Sequence, residues 1–510
     1  MPYFEIHTDS GALRGMDDGD VRSLLGVPYG ASTGGANRFR APQPVEPWSG
    51  VRDALAFGPS APQVDTRTHA SANGPRTLAL LYPRGGWPVE AGSTDEDCLR
   101  LNVWAPSDRS LEGLPVLVWL HGGGFTHGSG NEMTFNGDVL ARAGGMVVVT
   151  VTHRLGILGF LDLRDRGLAD SADAGMLDIV AALQWVQRNI GEVGGDPERV
   201  TVCGQSGGSV KVATLHGMPA AKDLFTRAVM MSGPFTTAVP AAASEQVRDR
   251  ALSLLVGPAT VDELRTLPVD ALLDAQAVIL AQGAAARFGA GALDSLPGFA
   301  PSIDSVHLPA DPFADPELSD GKELMIGWTA HEAGLLLVDD ETYTTGLTPA
   351  QAVRLLDEDE PGEGERLYGR LSAQHPAEPP HLLWSRRISE RIFRDPAVAL
   401  VERLASDGKQ VWTYQFDQTT EVLGGLLGAC HSLDLSYVFG TVDRIPLTGR
   451  DPRRIDVSRD MMAAWAAFAH SGNPGWEAWA AGNAPHRFGG DADGVHDIDI
   501  AAPVRALIAR

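Results

Sequence analysis

The chain has 510 residues, 44% of them hydrophobic, which suits a large core with a cap or subdomain and excludes fibrous and disordered classes. Its 41 basic and 65 acidic residues leave a net charge of −24, a surface that repels phosphate backbones and anionic lipid and argues against nucleic-acid partners. No apolar run reaches the roughly eighteen residues of a membrane span, and the polar start "MPYFEIHTDSG" lacks the features of a signal peptide, so a cytoplasmic location is expected.

Residues 1–63 mix short alternating runs with turn residues, as in "SLLGVPYGAS", and predict an antiparallel start. The stretches "PQVDTRTHASANGP" and "YPRGGWPVEAGSTDED" are rich in Pro, Gly and polar residues and read as a surface loop. Two unbroken apolar runs follow, Pro115–Leu120 and Met146–Thr152, suited to strands buried on both faces of a mainly parallel sheet. In "DIVAALQWVQRNI" the residues Ile179, Leu183, Val186 and Ile190 are spaced along one helix face, and the glycines of "GEVGGDPERV" stop that helix. Next comes the short strand "VTVC", then "GQSGG". Strand, helix, turn and strand in that order are the grammar of an α/β fold. "RAVMMSG", "ELMIGWT" and "GKQVWTYQFD" predict further buried strands, and Ser244–Gln282 is helical in pattern. Near the end, Met462, Trp465, Ala466 and Ala469 lie at helical spacing before Gly472. No repeat or low-complexity linker divides the chain. The three cysteines, Cys98, Cys203 and Cys430, are far apart and read as small apolar fillers, with neither a zinc site nor a disulfide framework.

The pentapeptide Gly204-Gln205-Ser206-Gly207-Gly208 fits the nucleophile-elbow pattern, in which a strand turns sharply into a helix and lifts a serine to the sheet edge. Small neighbours are needed because strand and helix backbones approach closely there. A serine nucleophile also needs a site for the negative charge of a tetrahedral intermediate. "LHGGGF", Leu120–Phe125, directly follows a predicted strand, and the N–H groups of Gly123 and Gly124 with that of Gly207 are candidates for an oxyanion hole. The run does not fit a phosphate-binding loop, because His127 stands where the last glycine belongs and no lysine follows. The base should be a histidine beyond an acidic residue. His375, His381, His431, His470, His486 and His496 all qualify by order, and spacing does not choose among them. His431 lies on a Gly-rich loop before an apolar segment, and Glu332 follows the strand "ELMIGWT" within three residues.

With these blocks in order, the chain resembles the type-B carboxylesterase family, the esterase–lipase branch that includes cholinesterases and bacterial para-nitrobenzyl esterases. "LLGVPYG", "RFRAPQP", "DEDCLRLNVWAP", "WLHGGGF", "VGGDPERVTVCGQSGG", "IGWTAHEAG", "GACHSLDLSYVFG" and "AWAAFAHSGNPG" carry the resemblance across essentially the whole chain. It implies an α/β-hydrolase fold: one domain over 1–510, a large twisted, mostly parallel sheet flanked by helices, and helical insertions at roughly 240–320 and 345–400 forming a cap or regulatory region. It also implies a Ser206–His431–Glu332 triad, an oxyanion hole of Gly123, Gly124 and Gly207, no cofactor and no metal. The implied reaction is hydrolysis of a small-molecule ester through an acyl-enzyme. A carbamate or amide hydrolase would use the same chemistry, and an adhesion module on the same fold would lack the triad.

The chain departs from the family in four places. Gln205 replaces the usual glutamate before the nucleophile, and Ala61 stands where secreted members place the cysteine that pairs with the counterpart of Cys98. Thr152-His153 replaces Asn-Tyr, and Asp434 replaces a glutamate beyond the histidine. The missing disulfide partner supports a reducing compartment. The substrate pocket is expected from the loops at 65–92, 284–301, 335–346 and 419–428. Trp87, Phe125, Phe288, Trp328 and Leu426 are candidate apolar liners, lining ranks above core for Phe125 and Trp328, and Gln205 is a candidate substrate contact. The oligomeric expectation is a monomer or a homodimer.

Overall fold

The computed structural model describes residues 2–64, 80, 94–233, 238–255, 260–284, 298–303, 305–480 and 483–490. The chain begins with strands that alternate: β1 (Tyr3–Thr8) buries Phe4 and Ile6 and exposes Tyr3 and Glu5. It pairs antiparallel with β2 (Gly11–Asp17), which pairs antiparallel with β3 (Val21–Pro28) and parallel with the short β4 (Val51–Asp53). β5 (Arg100–Pro106) continues the antiparallel edge from β3 to β7.

From there the sheet is parallel. β6 (Leu114–Leu120) and β7 (Val147–Thr152) are buried at every residue. Val116, Val118 and Leu120 enter one core cluster while Leu117 and Trp119 enter the cluster on the opposite face. A strand with two buried faces has no use for polar alternation, which is why these runs read as continuous apolar sequence. Helix α1 (Ala174–Asn189) buries Ile179, Leu183 and Val186, passes into a short turn at Ile190–Val193, and ends at Gly194, whose φ of 89° suits glycine. Behind β7, the fully buried Arg154 pairs with Asp178 of α1 at 2.6 Å and fixes the following loop to that helix.

β8 (Gly195–Gln205) leads into α2 (Gly207–Leu215) with one residue between them. β9 (Arg227–Met231) and β10 (Glu323–Thr329) follow, separated by helices at Ala241–Leu254, Val261–Thr266 and Val269–Ala284. After β10 come the short α3 (Glu332–Leu336), helices at Pro349–Asp359 and Gly364–Gln374, and α4 (Pro380–Ser389). A further helix, Asp395–Ser406, precedes β11 (Val411–Phe416). The long α5 (Arg453–Ser471) is stopped by the left-handed Gly472, and β12 (His486–Phe488) closes the sheet. The strand order is β1-β2-β3-β5-β7-β6-β8-β9-β10-β11-β12, with parallel pairing from β7 to β12. Chain reversals among the parallel strands therefore gather loops at the carboxyl ends of β6, β8, β10 and β11, where α/β sheets place their sites. Among the described residues no helix is long and apolar enough to cross a membrane. The predicted loop at 65–92 lies outside the described residues except for Leu80.

Candidate active site

Ser206 sits on the one-residue turn between β8 and α2 with φ 56° and ψ −122°, a conformation that costs a non-glycine residue about 1–3 kcal/mol. Its surroundings leave no room to relax. A Cβ on Gly204 would come within 2.4 Å of the Gly208 carbonyl carbon, and one on Gly208 within 2.0 Å of Leu120 O. The turn thus packs the nucleophile helix onto both its own strand and the end of β6. The Ser206 N–H donates to Met231 O at 2.9 Å, tying the turn to β9 as well.

The triple-glycine loop at the end of β6 lies against the same turn. A Cβ on Gly207 would meet the N, Cα and O atoms of Gly124, all at 2.4 Å. Gly123 and Gly124 have φ of 83° and 63°, accessible to glycine at little cost. The Gly123 carbonyl accepts from His127 N–H at 3.1 Å, and the Phe125 carbonyl from Gly156 N–H at 2.7 Å. Among the described residues, the N–H groups of Gly123, Gly124 and Gly207 donate to no acceptor. Such donors on two apposed backbone segments can hold an anionic oxygen.

Glu332 opens α3 and is fully buried; its Oε1 accepts from Thr329 N–H at 2.7 Å, and its Oε2 lies 2.5 Å from His431 Nδ1. An ionised carboxylate only accepts, so His431 Nδ1 carries the proton and Nε2 keeps its lone pair. That lone pair faces Gln205, whose Nε2 amide donates to it at 3.1 Å. Among the described residues Ser206 Oγ makes no hydrogen bond. Gln205 is 1% exposed and so meets the imidazole rather than open pocket. Phe393 reaches the same ring, centroid to centroid 5.2 Å. Asp434, fully buried, faces this pair: burial first and then the Glu332 charge push its carboxyl well above the usual range.

The other candidate histidines are occupied elsewhere. His375 pairs with Glu378, His381 packs on Tyr343, His470 bonds Gly144 O and His486 stacks on Trp476; His496 lies outside the described residues. The two preferred pocket liners belong to the core. Trp328 is 3% exposed and donates from Nε1 to Gln415 Oε1, while Phe125 packs edge-on against Phe160 in the same cluster. The reason is placement: β10 is a central strand, and the Phe125 side chain points beneath the glycine loop. Leu426 is half-buried, and Trp87 and Phe288 lie outside the described residues. The cysteines are free and buried.

Two buried groups beside the site escaped the sequence reading. One is His331, next to Glu332, with its own carboxylate, Glu378. The other is Lys211, fully buried in α2. Its signal is visible as a lysine inside the apolar run "SVKVATL" of a chain with four lysines, because a fully buried lysine is rare.

The chain matches the model of the Carboxylesterase family over residues 3–487. It is 34% identical over 487 residues to a para-nitrobenzyl esterase of Bacillus subtilis (strain 168), covering 94% of this chain and 92% of that one. A phenmedipham hydrolase of Pseudarthrobacter oxydans is 32% identical over 480 residues, covering 92% and 90%. Among solved structures, an esterase from the anaerobe Clostridium hathewayi superposes with a TM-score of 0.77 at 31% identity, over 96% and 95% of the two chains.

Proposed function

The chain belongs to the carboxylesterase family, and from that premise we propose that it hydrolyses small to medium, largely apolar esters through Ser206, His431 and Glu332. It is a serine carboxylester hydrolase with the α/β-hydrolase fold. Ser206 Oγ attacks the ester carbonyl carbon as His431 Nε2 takes its proton, and Gln205 gives up that nitrogen to the serine. The carbonyl oxygen becomes an oxyanion held by the N–H groups of Gly123, Gly124 and Gly207. Collapse breaks the bond to the alkoxide, which leaves with the proton from Nε2 and yields an acyl-enzyme. Water then repeats the sequence, giving its proton to Nε2 and releasing the acid from Ser206. Glu332 holds the tautomer and stabilises the imidazolium in both halves.

The observation supporting this reading is the 2.5 Å Glu332–His431 contact at the same sheet edge as a serine held at φ 56° beside three N–H groups that donate to no acceptor among the described residues. Phe393, from the insertion at roughly 345–400, packs on His431 and supports that segment as part of the cap. The test is hydrolysis of para-nitrophenyl butyrate by wild type and Ser206→Ala, with a matched carbamate for acyl preference. The reading expects the ester to be turned over and the variant to lose at least about 10⁴-fold in kcat; equal rates would refute it.

A further inference from the structure

Lys211 lies five residues past Ser206 on α2, is fully buried, and donates from Nζ to His121 O at 2.9 Å. That carbonyl immediately precedes the three glycines. The Phe125 ring, which immediately follows them, has its centroid 5.7 Å from the same nitrogen. The ammonium therefore touches both ends of the Gly122–Gly124 loop from behind. Three consecutive glycines have the most backbone freedom of any such segment, so a loop that must keep its N–H groups aimed at one point needs anchors at its ends.

The side chains around Lys211 are polar. His121 and His153 are fully buried and stacked, 4.9 Å between centroids. His121 Nδ1 donates to Gly122 O at 2.9 Å and His153 Nδ1 to Arg154 O at 2.8 Å. A carbonyl only accepts, so each Nε2 is a bare acceptor, and both Nε2 atoms are buried without a partner. An ammonium has three N–H donors, and one of Lys211's is used on His121 O. Both imidazoles lie close enough to Lys211 to feel its charge. Burial first, then the Lys211 charge, pushes both imidazoles well below their ordinary value, so they are neutral. Glu132 is the acid facing the group; Ser129 N–H donates to its Oε1 at 3.4 Å.

We propose that Lys211 is a positioning residue for the reaction: its ammonium, anchored on His121 O, holds the triple-glycine loop against the nucleophile turn and adds positive potential behind the developing oxyanion. This rests on the assignment of Gly123, Gly124 and Gly207 to that oxyanion. Burial pushes the Lys211 amine down to about 7 and pushes the Glu132 carboxyl up. As pH rises past neutrality the Lys211–Glu132 pair therefore goes from positive towards negative, while His121 and His153 stay neutral. The potential behind the loop falls, and kcat falls with it. The base is active in its deprotonated form, so it cannot cause an alkaline loss.

The test is steady-state hydrolysis of para-nitrophenyl butyrate, corrected for spontaneous hydrolysis, by wild type, Lys211→Met and Lys211→Gln. Fold is followed by circular dichroism, and Ser206 by fluorophosphonate labelling. An indirect contribution to one oxyanion donor should cost about tenfold in kcat with KM within about twofold. Wild-type kcat should fall between about pH 7 and pH 9.5, and that fall should be absent from the folded variants. A variant that folds, labels at Ser206, and keeps both the wild-type kcat and the alkaline fall overturns the proposal. If neither variant folds, the wild-type profile decides: a plateau to about pH 9.5 overturns it, and a fall supports it. Failure of wild type to label at Ser206 would instead refute the triad on which the proposal rests.

Discussion

Two histidine–glutamate pairs, one buried and one with a half-buried acid, flank one another at the carboxyl edge of the sheet, and they are wired differently. In the first, His431 spends Nδ1 on Glu332 at 2.5 Å and leaves Nε2 to an exchangeable side-chain amide. In the second, His331 spends everything on structure. Its Nδ1 accepts from Ala429 N–H at 3.1 Å, its backbone N–H donates to Ala429 O at 2.9 Å, and its Nε2 meets Glu378 at 3.2 Å. Arg386 also binds Glu378 through both Oε1 and Oε2. Burial alone would raise the Glu378 carboxyl, but hydrogen bonds from His331 and Arg386 outweigh it and hold it well below the usual carboxylate range. Proximity of a histidine to a carboxylate is therefore no signature of catalysis. What separates the pairs is whether the second ring nitrogen is free to take a proton, and whether an arginine already neutralises the acid. The structural pair still serves the other one, because His331 clips the Ala429–Cys430 backbone that carries His431.

The sharpest way to break this comparison is to treat both acids alike. Glu332→Gln should lower kcat by about 10⁴-fold, since the amide cannot stabilise the imidazolium and favours the wrong tautomer. Glu378→Gln should leave kcat within about threefold. Comparable losses in both would erase the distinction. Next in size is Gly207→Ala, whose Cβ would collide with the Gly124 backbone at 2.4 Å. We expect kcat to fall by about 10²–10³ with the Glu332–His431 pair intact, as for loss of one oxyanion donor.

Smaller effects sharpen the structural side. Glu378→Gln should destabilise the fold by about 1–3 kcal/mol at neutral pH, from lost charged hydrogen bonds. Because the Glu378 carboxyl is depressed in the folded state, its contribution exists above the unfolded glutamate value of about 4.3 and is lost as pH falls below it. Urea midpoints of wild type and variant should thus converge in acid; a constant gap would contradict the ion-pair account. The smallest change is Gln205→Glu. A carboxylate cannot donate to His431 Nε2 and favours the imidazolium, so the acid limb of kcat/KM should move up by about one pH unit. An unmoved limb would mean the amide is not the resting partner of the ring.

Legibility followed the range of the interaction. β6 and β7 were readable because two buried faces leave a local imprint, and the elbow because Gly204, Ser206 and Gly208 crowd within five positions. The Glu332–His431 contact spans 99 positions and has no local period; histidine spacing left six choices open, and the family resemblance selected one. His331–Glu378 and the partners of Lys211 had no such guide, since they come from separate elements and their environment exists only once the chain is folded. Phe125 and Trp328 show a related limit: an aromatic ring reads the same in sequence whether it lines a pocket or fills a core.

The most direct test of the central assignment is mass spectrometry of the protein after fluorophosphonate treatment, with His431→Ala alongside. We predict a single adduct on the peptide containing Ser206 in wild type, formed much more slowly in the variant. An adduct on another serine, or equal labelling rates in the two proteins, would contradict an oxygen at position 206 activated by His431.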